Sequence, residues 1–570
     1  MDKQFFFERN LLALSGKDPG LCSRLSGAET TLGRYKFLEA RTGETVPALV
    51  DRSGAAHPLH SLVDPKREGS RLINSSVSGK TEGFLVLLGL GGGFYAEAAL
   101  ERDDIHRVLV IDYDINGIAE LLASREYITL FKDPRFFLLV DPAPEALETG
   151  ILETYQPALY GGIRLIPLRT RTDLDLSRFN QAGESVKTAI DRLSGDYSVQ
   201  AYFGTRWFSN IIRNLLHAER SAPPLPPIHR ALICAAGPSL DMQMPVIKQE
   251  LSNHESGPFL IASDTSLPAL LQEGIKPDAV VSIDCQHISY YHFMQGLPRD
   301  IPLFLDLASP PLLATRTDNP RFFAGGHPLT RYIARYWRPF PNVDTSGANV
   351  TYAALSLAEY LGAAKIELFG ADFSYPQGKT YARGTYIYPY FEVRQNRLSP
   401  LEAQASAFLY RSQSLQKIPV HDGWCYVTPP LRGYREGVEA KARTMHANIR
   451  AAAGMGAPII LPRVEERHTS REPIRLFAAG KAAAPPKEFL AQYRADIATL
   501  PVPGKNLALH LESLDEAESL ILTTLLPAAA ALKRRRPELD GRETLEAART
   551  YCLKELDLVL AVSSFGKGER

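Results

Sequence analysis

The chain has 570 residues, room for about two to four domains, each able to bury a core without disulfides or structural metal. Hydrophobic residues make up 45% and charged residues 22%, a balance that excludes disordered and fibrous classes. Lys plus Arg is 64 and Asp plus Glu is 64, so the sequence-independent phosphate attraction of most nucleic-acid binders is missing.

Cys22, Cys234, Cys285, Cys425 and Cys552 are scattered, with no CxxC pair and no zinc spacing. They read as single thiols in a reducing compartment. The opening MDKQFFFERNLLALSG has charges in its first turns and no secretory pattern. The apolar stretch from Phe84 holds four glycines and Glu97, which does not make a membrane span. The expectation is a cytoplasmic protein with no membrane span and no nucleic-acid partner.

In chain order, the apolar run from Phe84 opens into Gly91-Gly92-Gly93, then Phe94 to Leu100 reads as helix and Val108 to Ile111 as a second strand. This βαβ pattern predicts a Rossmann-like unit in which Asp112, at the second strand's tip, could hold a ribose hydroxyl. Residues 170–217 read as helical. SAPPLPPIHR (221–230) is too rich in proline for helix or central strand and marks a connector. Beyond it, ALICAA, FLIAS, AVVSID, IPLFLDL and KIELFG alternate with helical segments, the pattern of a mostly parallel α/β sheet. After KAAAPPK the chain becomes rich in Leu, Ala and Glu, and Pro527 and Pro537 are expected to break it into three or four helices. The domains expected are a Rossmann-like α/β domain over 1–221, a nucleotide-binding α/β domain over 228–468 and a helical domain over 469–570.

Ligands of parallel sheets bind beyond the strands' C-terminal ends. There the central segment places Gly237-Pro238-Ser239, Asp264, Asp284 and Gly370-Ala371-Asp372, followed by Tyr375 and Tyr381. Thr345-Ser346-Gly347 precedes the long helix, whose N–H groups attract an anion. Together these groups suit a nucleotide. No Asp-x-Asp pair stands at the central tips, so no metal is assigned; Asp112-Tyr113-Asp114 has that spelling but ends a strand of the N-terminal unit.

AAGPSL, ASDTSLPALLQEGIKPDAVVSID and TSGANVTYAALSLAEYLGAAKIELFGADFSYPQGKTYA resemble the central domain of the motility accessory factors. These are bacterial flagellin glycosyltransferases that move nonulosonic acids, sugars such as pseudaminic or legionaminic acid, from CMP onto Ser or Thr. The stretch is more distantly similar to bacterial sialyltransferases. The resemblance implies a cytoplasmic transferase with flagellin as acceptor, a role in motility and no cofactor beyond the CMP-sugar. By that likeness Gly237, Pro238 and Ser239 border the CMP phosphate, and Asp264 and Asp284 stand where the sialyltransferases place nucleotide-touching Asn residues. Thr345, Ser346 and Gly347 match a cytidine segment, Asp372 completes the donor-nucleotide set, and Tyr375 and Tyr381 fall near tyrosines that hold the leaving phosphate. No histidine lies between His327 and His421, where those enzymes place their base, and no catalytic base is assigned. Arg383, in a segment rich in Tyr and Arg, is the candidate for the donor's carboxylate.

Three other readings remain. GPSL and GIKPD also resemble archaeal 6-hydroxymethylpterin diphosphokinases, in which Asp264, Asp278 and Asp284 would hold Mg-ATP. The GLGGG loop with Asp112 could instead serve an S-adenosylmethionine-dependent methyltransferase. A non-catalytic flagellin-binding assembly factor is the last.

Overall fold

The computed structural model describes residues 3–77, 82–219, 223–252, 257–412, 414–421, 423–462, 477–504 and 506–562. The expected domain boundaries at 221 and at 468/469 lie outside these. The chain divides into two compact units: Met1–Thr205 with Asp496–Cys552, and Arg206–Ala495 with Leu553–Arg570. The 42-residue helix Leu176–His217 contributes to both.

In the first unit, β1 (Tyr35–Glu39), β2 (Thr45–Val50) and β3 (Ala56–Pro58) form a small antiparallel sheet. β4 (Phe84–Leu88), β5 (Arg107–Asp112), β6 (Phe136–Val140) and β7 (Ile163–Pro167) form a parallel sheet in the order β6-β5-β4-β7. Side chains alternate between its faces. Leu85, Leu87, Val108 and Val110 enter one core. Phe84, Val86, Leu88, Leu109 and Ile111 enter another, with Leu507, Leu522 and Leu545 from the C-terminal helices. That two-sided burial explains why β4 reads as an unbroken apolar run.

The C-terminal region is helical, as expected, but Pro527 sits inside the helix Glu516–Arg535 rather than ending it. Burial of Leu525 and the run Ala528–Ala531 holds the helix through the missing N–H. Gly204 allows the long helix to lie against it: a Cβ there would fall 1.7 Å from the Pro527 carbonyl oxygen.

The glycine turn after β4 is occupied by the protein's own side chains. Gly92 N–H donates to His60 Nε2 (3.0 Å), while Tyr127 and Arg125 donate to the Gly91 and Gly92 carbonyls. Asp112 accepts from Leu90 N, Tyr113 N and Arg171 Nε at 2.7, 2.7 and 3.0 Å. The carboxylate expected to face a ribose is thus engaged within the fold.

Burial, reinforced by the Arg125 charge, pushes His60 down to about 3. The unfolded chain takes up this proton from about pH 6.5 downward, while the folded chain resists it until about pH 3. Stability is therefore present above pH 6.5 and lost as pH falls through that window. Urea unfolding of His60→Gln is expected to be less acid-sensitive between pH 6.5 and 4 than wild type; parallel curves would contradict this.

In the second unit, seven parallel strands make one sheet: β8 (Arg230–Cys234), β9 (Phe259–Ser263), β10 (Ala279–Ser282), β11 (Leu303–Asp306), β12 (Pro320–Phe323), β13 (Lys365–Phe369) and β17 (Asn448–Ala451). The order is β12-β11-β10-β9-β8-β13-β17. The chain builds outward from β8 in one direction and later resumes at β13 on its other side, so the order reverses between β8 and β13. Ile233, Ile261, Val281 and Phe304 pack with the helix Val350–Tyr360 in a shared core. A small antiparallel sheet is formed by β14 (Tyr375–Pro376), β15 (Gln416–Val420) and β16 (Gly423–Val427) in the order β14-β16-β15. No helix of the described residues is long and apolar enough to cross a membrane.

Candidate functional site

A reversal of strand order leaves a crevice at the strands' C-terminal ends, because the two following loops diverge to opposite faces. Here a cleft of about 190 Å³ opens between the loops after β8 and β13. Ala235–Gly237 form one wall and Gly370–Tyr375 the other. Ser263 and Thr265 at the tip of β9, Tyr381, and Tyr434 from the helix Pro429–Thr444 complete it.

The two loops are locked together at the base. Gly237 N donates to Gly370 O at 2.8 Å. Ser239 N and Oγ donate to Asp372 Oδ2 and Oδ1 at 2.8 and 2.5 Å, and Met455 N donates to Ser239 Oγ at 2.7 Å. Ser239 and Asp372 are both buried, so much of their hydrogen-bonding capacity is spent on each other. Burial raises the Asp372 carboxyl, opposed by its bonds to Ser239. Gly237 is needed for this crossing: a Cβ would lie 2.4 Å from Asp372 Oδ2 and 2.5 Å from Gly370 O. Ser239 and Asp372 therefore shape the cleft from beneath, while Gly237 stands at its wall.

The helix entering the cleft begins at Val350, three residues beyond Gly347. Asn349 is its N-cap, accepting from Tyr352 N at 2.9 Å and donating to Gly347 O at 2.8 Å. Asn349, Val350 and Thr351 line the cleft and bring the helix's partial positive charge to it. Thr345 points elsewhere, towards Gly325 and Asp306: a Cβ built at Gly325 would lie 3.1 Å from Thr345 Oγ1 and 2.3 Å from Asp306 Oδ2. Ser346 Oγ and the Tyr352 hydroxyl are 3.3 Å apart. Ala348 and Phe373, flanking the cleft, have φ of 54° and 43°, conformations that side-chain-bearing residues of these types rarely adopt and that recur at binding sites.

Tyr375 and Tyr381 share the same wall. Burial raises both phenols, and each is partly opposed by Arg411, so both keep their protons as donors at neutral pH. Tyr386 lies 6.3 Å from Tyr381 between ring centroids. Asp264, buried beside this group, accepts from Ser282 Oγ (2.7 Å), Thr265 N (2.7 Å) and Thr265 Oγ1 (3.0 Å). Asp284 stands one strand further out. Burial raises its carboxyl, the Gln286 N–H opposes that, and the Asp264 charge adds to it. Asp278 begins β10 at the opposite end of the sheet, accepting from Leu260 N at 2.8 Å. Asp264, Asp278 and Asp284 thus do not converge, and among the described residues no three His, Cys, Asp or Glu side chains gather as a metal site. Arg383 is exposed and its Nε lies 3.3 Å from Asp241 Oδ2.

Sequence reading missed several residues here. Asn349 was legible as a cap residue before an apolar-periodic helix. Arg411 and Tyr434 reach the site from distant segments and carry no local signal. His292 is buried against Tyr386, ring centroids 4.5 Å apart, with Nδ1 lacking a hydrogen-bond partner. An imidazole with a free ring nitrogen can accept a proton from a hydroxyl.

Residues 209–378 match the family profile described as 6-hydroxymethylpterin diphosphokinase MptE-like, so the chain carries an MptE-like domain. Three uncharacterised proteins of Treponema pallidum are similar over part of their length. One is 37% identical across 27% of this chain and 58% of its own, the second 31% identical across 25% and 66%, the third 28% identical across 36% and 37%. The matches thus span less than two thirds of each relative. The structure of the MAf glycosyltransferase from Magnetospirillum magneticum AMB-1 superposes with a TM-score of 0.57 at 13% identity, covering 99% of this chain and 96% of that one. The two chains therefore share a fold along essentially their whole length.

Proposed function

We propose that this protein is a glycosyltransferase that moves a nonulosonic acid from a CMP-activated donor to a Ser or Thr hydroxyl of flagellin. The observation that carries this reading is the single cleft at the strand-order reversal, where a helix N-terminus and two protonated tyrosines face one volume. The acceptor oxygen attacks the anomeric carbon as the bond from that carbon to the phosphate oxygen breaks. CMP leaves with the electron pair, and charge grows on its phosphate. Tyr375, Tyr381 and the N–H groups of the helix stabilise that charge. The acceptor hydroxyl's proton passes to a general base, for which His292, buried against Tyr386, is our candidate. In this reading the reaction needs no cofactor, and the protein acts in the cytoplasm in support of flagellar assembly and motility. The spread of Asp264, Asp278 and Asp284 over both ends of the sheet weighs against the Mg-ATP alternative.

The test is thermal unfolding with CMP, with ATP plus Mg²⁺ and with S-adenosylmethionine. A ligand at about 100 times its Kd adds about 2.7 kcal/mol, so CMP is expected to raise the Tm and the others to leave it unchanged. Stabilisation by ATP plus Mg²⁺ alone would favour the diphosphokinase reading. Stabilisation by CMP with no mass increase on flagellin incubated with donor would favour the non-catalytic assembly factor.

A further inference from the structure

Neither Arg383, the cation expected to meet the donor's sugar, nor any other arginine lines the cleft itself, but Arg411 stands behind its tyrosine wall. Arg411 lies 3.7 Å over the Phe408 ring, and that ring is 6.3 Å from Tyr381. Its charge reaches Tyr375, Tyr381 and Tyr386, in each case opposing the rise that burial gives the phenol. Arg383, by contrast, is held by Asp241 through both its backbone N–H and its side chain. Among the described residues no carboxylate stands within ion-pair distance of Arg411. A guanidinium stacked on an aromatic shelf is held in orientation, and its unused donors form a planar fork suited to two oxygens of one oxyanion. Asp264 and Asp284, whose charges reach Tyr386, would repel an anionic ligand, which makes a local cation necessary for one.

We infer that Arg411, seated on Phe408 beside Tyr375 and Tyr381, forms an oxyanion subsite that takes the carboxylate of the donor's acidic sugar. The inference rests on the CMP-donor reading above. The donor carries two anionic groups that could supply the oxygens. The phosphate is the group the helix N-terminus at Asn349 and the tyrosine hydroxyls serve; the carboxylate is the group left for the fork.

Calorimetric titration of wild type and Arg411→Met with CMP and with CMP-N-acetylneuraminic acid separates these. The variant is expected to bind CMP within about twofold of wild type and the CMP-sugar at least about tenfold more weakly, the scale of one lost charged hydrogen bond. Arg411→Lys, which keeps the charge without the fork, is expected to fall between. Arg394→Ala, which removes a nearby cation stacked on Tyr390, is expected to change neither. Equal weakening of both ligands in Arg411→Met would move Arg411 to the phosphate and overturn the inference while leaving the donor reading intact. Unchanged affinity for both would overturn it as well. Failure of wild type to bind CMP would remove the donor reading and the inference together.

Discussion

Tyr381→Phe is expected to lower glycosyl transfer about 100-fold, the usual effect of removing one donor aimed at a developing oxyanion. The ring would stay, so its packing against Tyr386 and Phe408 is kept; only the hydroxyl is lost. Burial first, then the neighbouring Tyr386 and Tyr375, hold its proton firmly, and Arg411 opposes them only in part. The hydroxyl is therefore a donor at neutral pH. Because the charge it meets appears in the transition state, CMP affinity in the ground state should change little. Single-turnover rates and CMP titrations of the two proteins separate the effects. An unchanged rate would remove Tyr381 from the reaction, and a loss confined to CMP affinity would make it a binding group only.

Gly237→Ala is expected to destabilise the second unit by about 2–3 kcal/mol, the range for overpacked sites, and to abolish CMP binding. The added methyl would meet the Gly370 carbonyl oxygen as well as the Asp372 carboxylate. The side chain could turn away only by giving up its bonds from Ser239, and the backbone oxygen only by moving the loop. Either shift opens the base on which both cleft walls stand. Gly326→Ala is the control, since nothing lies within 4 Å of a Cβ there. Denaturant midpoints of the two variants measure the difference; equal midpoints would show that the loop crossing tolerates a methyl and that the cleft is less constrained than described.

Much of the architecture could be read from the residues. Strand Phe259–Ser263 coincides with the apolar run FLIAS, because a sheet covered on both faces leaves uninterrupted hydrophobic stretches, and helix Phe94–Leu100 follows the glycine turn as read. β12 and β17 were not anticipated: PRFF and NIRA are four-residue edge strands, too short for a clear pattern, and one begins with proline, a residue that weakens a strand signal. The return of the C-terminal helices to the first sheet is a tertiary fact with no local pattern, since Leu507, Leu522 and Leu545 look like any amphipathic helix.

The site was legible to a lesser degree. Strand-tip reasoning found Gly237, Tyr375 and Tyr381, which line one cleft, and Asp372, which lines it while bonding Ser239. It could not distinguish a glycine that admits a ligand from one that admits another loop; Gly237 does the latter. At Asp112 the residue type was right for a ribose, but Arg171 sits 59 positions away in sequence and occupies the carboxylate. Arg383 was one of several arginines in a Tyr- and Arg-rich segment; only the fold shows Asp241 holding it and Phe408 carrying Arg411.

The most direct measurement is a crystal structure of the protein grown with CMP. The nucleotide is expected between Ala235–Gly237 and Gly370–Tyr375, its phosphate turned to the helix beginning at Val350. A nucleotide seated instead at the glycine turn after Leu88, or along the tips of β11 and β12 away from Tyr381, would contradict the account.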